Sequence, residues 1–405
     1  MERIVIRDVE VEGTSIEKLH VILDDEKSVI FLPLLWTTHL ANTGTIFGWH
    51  QRGHFSSGGS SYAARKPISI EKSFEMRPVS ENTIQNYIGH FFQFLKYIND
   101  LNKSDEIPTV HHTQLVNSRF INHYLNNVLP EKLQSKASLS AHQAAISAYY
   151  SFLHELEIKG PIPSIINRKT EQYMAEKDTR LKKINYVSRA ERSALLRACN
   201  SERDRLIIRM GFEVGLRSSE NMGLVLGEHK AKLMKQKGLL SLFDELDNNP
   251  SKHSFEFVLS GKFTKRGKTR NIYYDRELLT AMKRYYDNER LSVVQQSGRS
   301  FETLFLRTDN EGAGLSISAE HASNLFNKLI KQLHHANHSL SYHDLRHTFA
   351  TELYHAELKN PEGQETRSES AALIVVAERL GHSDLKSTRR YIRLRQQMLM
   401  IEENL

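Results

Sequence analysis

Ile84, Tyr87, Ile88, Phe91, Leu95 and Ile98 step along the chain by threes and fours. That spacing puts them on one stripe of a helix, and a stripe of this width must be buried against another apolar surface. Ile146, Tyr149, Tyr150, Leu153 and Leu156 repeat the pattern, and VNSRFINHYLNNVL between them also reads as helical. The pattern stops at GPIPSIINRKTEQYMAEKDTRLKKINYV, where Pro161 and Pro163 end the helix and a polar, basic stretch follows. Ser188 and Glu191 in SRAE then form a capping-box pattern ahead of RSALLRAC. One continuous core cannot run through such a break. The expected organisation is a helical domain over 76–165, a linker over 166–186 and a second domain over 187–405, which suits a chain of 405 residues.

Two other regions carry strand patterns. The start, ERIVIRDVEVEG, alternates and predicts a strand or two before HQRGHFSSGGSSYAARKP degrades into turn and linker chemistry. Residues 1–75 are read as an N-terminal extension whose role the sequence leaves open. In the second domain, SFEFVL and NIYYD are β-like and flank a Gly/Lys turn. The fold class expected is therefore α+β, mainly helical with a small sheet or hairpin.

Charge narrows the partners. The chain carries 55 Lys and Arg against 48 Asp and Glu, a net charge of +7. The excess is concentrated: Ser251 to Ser300 holds 11 basic and 5 acidic residues, whereas Met1 to His50 holds 4 basic and 8 acidic. Local positive charge is what phosphate binding requires. Cys199 is the single cysteine, which excludes an intramolecular disulfide and an all-cysteine metal site and fits a reducing cytosol. The longest apolar run, SVIFLPLLW, falls far short of the roughly 20 residues of a membrane span. A cytoplasmic protein with no membrane contact is expected.

Several short motifs are ambiguous singly. SGKFTKRGKT is not a phosphate loop, because Gly261 and Gly267 enclose five residues instead of four and a strand-like segment follows. A hairpin tip presenting Lys262, Lys265, Arg266, Lys268 and Arg270 accounts for it, and so would a solvated charged turn. In GLRSSE, Arg217 and Glu220 have the spacing of an ordinary helical ion pair. In SYHDLRHTFAT, His343 and Arg346 share a helical face, flanked by Asp344 and His347. The histidines of HHTQ and HHANH lack carboxylate or cysteine partners at ligand spacing, so no metal site is assigned. In LGHSDLKSTRRYIRLR, Tyr391 follows His382 by nine positions and sits among Lys386, Arg389, Arg390, Arg393 and Arg395 with no nearby acid after Asp384.

Together, GLRSSE, KRGKTR after a strand, HDLRHTFAT and LGHSDLKSTRRY resemble, in this order, the tyrosine recombinase or phage-integrase family. The resemblance spans about 187–395. It implies a catalytic domain preceded by a helical core-binding domain, and carries over six catalytic positions: Arg217, Lys265, His343, Arg346, His382 and Tyr391. Lys265 is chosen because the run through Lys268 and Arg270 matches the family pattern, with Lys262 as the alternative. Lys262, Arg266, Lys268, Arg270, Arg389 and Arg390 are the candidate DNA contacts. Two stretches depart from compact members: HKAKLMKQKGLLSLFDELDNNPSKH and HAELKNPEGQETRSES both look like insertions.

The chemistry implied is phosphodiester cleavage by a phenol. A group of pKa near 10 is about one part in a thousand ionised at pH 7, a deficit of about 4 kcal/mol, so cations or a base must assist. Paired guanidiniums match the charge that gathers on phosphate oxygens. By resemblance His343 is the general base, His382 donates to the phosphate and Lys265 protonates the 5′ oxygen. The expected function is a site-specific DNA recombinase working through a 3′-phosphotyrosyl intermediate, without metal, ATP or cofactor. Its expected partners are double-stranded DNA and copies of itself, as a tetramer on paired sites of a mobile element. A type IB topoisomerase-like nicking and resealing enzyme, or a catalytically silent DNA-binding regulator, remain open alternatives. The final RLRQQMLMIEENL reads as an amphipathic helix that either docks on a neighbouring subunit or folds back on its own.

Overall fold

A computed structural model describes residues 1–11, 13–54, 69–101, 109–177, 185–231, 234–264, 267–333, 339–359, 366–381 and 390–402. The chain falls into two compact units, Met1–Leu181 and Lys182–Leu405. Lys265, Arg266, His382 and Arg389 lie outside the described residues. Among those described, no helix is long and apolar enough to cross a membrane.

In the first unit, Trp36 packs edge-on against Phe91 at 5.1 Å and against Tyr149 at 5.5 Å between ring centroids. These rings come from three helices, Phe31–Thr43, Glu81–Leu101 and Lys136–Glu155. Of the apolar stripes read from sequence, Ile84, Ile88, Phe91, Leu95 and Ile98 are in this core with Ile146, Tyr149, Tyr150 and Leu153, Tyr87 packs against it half-buried, and Leu156, just past the end of its helix, is exposed. So are Ile22, Ile30, Leu40 and Ile46, which means that residues 1–75 build the same core as the helices that follow. The alternation of ERIVIRDVEVEG becomes the strand Glu2–Val11, antiparallel to Thr14–Leu23, whereas residues 50–54, read as the start of a turn and linker stretch, instead end the strand Thr45–His54, antiparallel to Ser69–Pro78.

The stretch read as a linker is partly structured. Asn167 accepts the Thr170 amide at 2.8 Å and opens the helix Arg168–Lys177, whose Met174 is buried in the first core. Thr170 and Met174 are one helical turn apart, a two-residue stripe too short to stand out against the surrounding charge.

The second unit begins at Lys182, a few residues ahead of the capping pattern. Ser188 and Glu191 form the reciprocal cap of the helix Arg189–Ala198. The predicted hairpin is present, Ser254–Leu259 pairing antiparallel with Arg270–Asp275 so that Leu259 lies opposite Arg270. The first apparent insertion is not a polar appendage. It contains the helix Leu239–Asn248, which buries Leu239, Leu242, Phe243 and Leu246 in the main core. The hydrophobic positions recur at i, i+3, i+4 and i+7, the spacing that buries one face of a helix. A second cluster forms where the helices Tyr342–Leu358, Glu369–Leu380 and Arg390–Glu402 meet, around Ala350, Tyr354, Val376, Leu380, Tyr391, Leu394 and Met398. The last helix thus packs on its own unit.

Candidate active site

Glu220 is the organising residue. Its side chain is 0% exposed, and three arginines from three separate segments reach it. Arg217 donates from Nη1 to Oε1 at 2.6 Å, Arg270 donates from Nη2 to Oε2 at 2.8 Å, and Arg346 Nη1 stands 3.5 Å from Oε2. The Arg217 amide adds a hydrogen bond to Oε2 at 2.8 Å. Burial alone would push the carboxyl pKa up, but Arg270, Arg346 and Arg217 outweigh it and hold the group at about 2. The Arg217–Glu220 pair is therefore a buried junction, not the surface pair its spacing also allowed.

Arg346 is 1% exposed. Its Nη2 donates to the Leu380 carbonyl at 2.6 Å and its Nη1 to the Gly215 carbonyl. Burial pulls its pKa down to about 9 against the pull of Glu220, which leaves it cationic at neutral pH. The backbone at both carbonyl-bearing turns needs glycine. Gly215 has φ +70°, and a Cβ there would sit 2.4 Å from a ring carbon of Phe349; Gly381 has φ +65°, and a Cβ there would sit 2.9 Å from Cδ of Arg270. These are the glycines of GLRSSE and LGH.

Ser341 and Asp344 cap the helix that carries His343, Arg346 and His347, so the aspartate of HDLR serves the helix start. His343 keeps a solvent-facing edge, and partial desolvation, then Arg346, Arg217 and Arg390, push its pKa down to about 4. It is neutral at physiological pH and able to take a proton. Tyr391 is 1% exposed. Burial raises its phenol pKa above the ordinary value, while Arg346, Arg390 and Arg217 pull it back. Its Oη lies 3.2 Å from Nδ1 of His347, whose ring stands edge-on to that of His343 at 4.4 Å.

Of the candidate catalytic residues described, Arg217, His343, Arg346 and Tyr391 are thus brought together. Lys262 and Lys268 are exposed between the two strands of the hairpin, and Arg390 is half-buried. Arg270 requires a correction. It is only 6% exposed, with one nitrogen on Glu220 and another on the Arg379 carbonyl, and so sits inside the junction instead of on a DNA-facing tip. As the first residue of its strand it points to the core face, as Ile272 and Tyr274 do at i+2 and i+4. Sequence reading missed the central place of Glu220 and the contact of His347. The one available signal for His347 was its position four residues after His343, on the same helical face. Among the described residues no group of three or more His, Cys, Asp and Glu is placed to hold a metal ion.

The profile of the Phage integrase family matches residues 185–398, just over half of the chain. No curated protein matches. Among solved structures, the fold is similar to that of the XerH site-specific recombinase in its pre-cleavage complex with difH substrate, at 16% identity and a TM-score of 0.50 over 78% of each chain. The Tn1549 transposon integrase in complex with transposon right end DNA also matches, at 15% identity and a TM-score of 0.48 over 80% of this chain and 94% of that one. With the profile covering the whole of the Glu220 junction and the tyrosine behind it, the chain belongs to the phage integrase family, the tyrosine recombinases.

Proposed function

We propose that this protein is a site-specific DNA recombinase that cuts and rejoins strands through a 3′-phosphotyrosyl bond at Tyr391, moving a mobile element. The observation that carries the reading is the convergence of Arg217 and Arg346 on one buried carboxylate, with the Tyr391 phenol in the field of both. Glu220 uses only part of each guanidinium and fixes the rest, so a phosphate would meet preorganised donors. The XerH structure was obtained with its DNA substrate, which supports duplex DNA as the partner here.

In the reaction, the phenol oxygen attacks phosphorus as the bond to the 5′ oxygen breaks. His343 receives the phenol proton, and Lys265 gives one to the departing oxygen. Arg217, Arg346 and His382 carry the charge that gathers on the non-bridging oxygens. An ester replaces an ester, so bond energy is retained for the second attack by another strand's 5′ hydroxyl, and neither ATP nor metal is required. Lys262, Arg266, Lys268, Arg389 and Arg390 hold the duplex through phosphates. A tetramer on two paired sites suits exchange between duplexes.

The test is incubation with a nicked duplex of the element's ends that traps the covalent complex, followed by mapping of the residue that carries DNA. Adduct at Tyr391, absent in Tyr391→Phe with binding retained and indifferent to chelator, is the expected result. An adduct of normal yield in Tyr391→Phe, or strict dependence on magnesium, would overturn it. Relaxation of supercoiled plasmid without joining of two sites would instead favour a topoisomerase.

A further inference from the structure

We propose that His347 is a positioning residue for the nucleophile: its Nδ1 holds the Tyr391 hydroxyl at the edge of the arginine cluster. This rests on the reading of Tyr391 as nucleophile and assigns a role to a side chain outside the six carried over by resemblance.

Three observations carry it. The phenol oxygen lies 3.2 Å from Nδ1, in a setting where the histidine and the tyrosine are both buried. A buried hydrogen bond restrains a side chain more tightly than one open to water, because the alternative partner is absent. The imidazole itself is packed against the His343 ring, which stands edge-on to it at 4.4 Å. The helix Tyr342–Leu358 also carries Arg346, which is pinned by Glu220, Gly215 and Leu380. The position of Nδ1 is thus referred to the same frame as the guanidinium that would hold the phosphate, one residue away in sequence. His347 therefore sets the distance between nucleophile and phosphate without touching the phosphate.

The geometry makes a sharp distinction between isosteres. Asparagine places its terminal amide where Nδ1 stands, whereas glutamine reaches the position of Nε2. His347→Asn keeps a partner for the phenol; His347→Leu and His347→Gln do not keep it in place.

The experiment is single-turnover cleavage of the nicked duplex by the full chain at saturating protein, with DNA affinity and thermal midpoint measured on the same samples. Wild-type cleavage at Tyr391 is measured first, so that a failure of the underlying reading shows as absence of wild-type adduct and is separate from what the variants do. The expected result is a loss on the order of 100-fold in cleavage rate for His347→Leu, from misplacement of the attacking atom, with affinity unchanged and His347→Asn restored to within about tenfold of wild type. Should His347→Leu fail to fold, His347→Gln replaces it and is expected to show the same loss. Wild-type cleavage in a folded Leu or Gln variant, or an Asn variant as impaired as either, would overturn the proposal.

Discussion

Arg346 donates to the carbonyl of Leu380 at 2.6 Å, and through this bond the helix of HDLR is tied to the turn of LGH. The same guanidinium reaches the carbonyl of Gly215 and faces Glu220. One side chain thus locks three turns that are far apart in sequence. An ammonium has the charge but not the planar fork, and cannot serve all three at once. Arg346→Lys is expected to lose about 1–3 kcal/mol of stability from unpaired buried groups and most of its strand cleavage. Denaturant melts beside a covalent-trapping assay check this, and a lysine variant with wild-type cleavage would remove the fork from the argument.

Glu220 gives the second unit an acid limb. Its pKa is about 2 in the fold against 4.5 ordinarily, so the stabilisation is fully present above about pH 4.5 and is lost as pH falls toward 2. The size, at 1.36 kcal/mol per unit, is ~3 kcal/mol. In Glu220→Gln three guanidiniums face a neutral amide, and a loss of about 3–5 kcal/mol at pH 7 is expected. Between pH 5 and pH 2.5 the variant should lose less further stability than wild type does. Parallel acid limbs in the two proteins would contradict the assignment.

Gly215 holds a left-handed turn under Phe349. Gly215→Ala meets both a backbone penalty of about 1–2 kcal/mol and overpacking of about 1–3 kcal/mol. The carbonyl that receives Arg346 belongs to this residue, so cleavage should fall along with the thermal midpoint. An alanine variant of unchanged midpoint and activity would show that the turn relaxes freely.

Phe243 tests whether the segment 229–253 belongs to the core. Its ring is buried beside Leu242 and Leu246 and lies 5.7 Å from that of Tyr286. Phe243→Ala is expected to cost about 3–5 kcal/mol, read by chemical denaturation, whereas an appended loop would tolerate it with little change.

The order of the motifs and the periods of the apolar residues were legible in the chain alone. Steps of three and four located the helices around Phe91 and Tyr149, the Ser188 cap marked the start of the helix Arg189–Ala198, and the β-like runs on either side of Gly261 gave the hairpin. These are local properties, fixed by backbone geometry over a few residues. What only the tertiary structure decided is which charges are inside. Arg270 and Lys268 read alike in sequence, yet one closes on Glu220 and the other is exposed, because Arg270 begins the paired strand on its core face opposite Leu259 whereas Lys268 precedes that strand. The closing of Arg270 and Arg346 on Glu220 and the approach of His347 to Tyr391 join residues 44 to 126 positions apart. No sequence spacing records such contacts, since they form only when separate helices and turns are packed around one core.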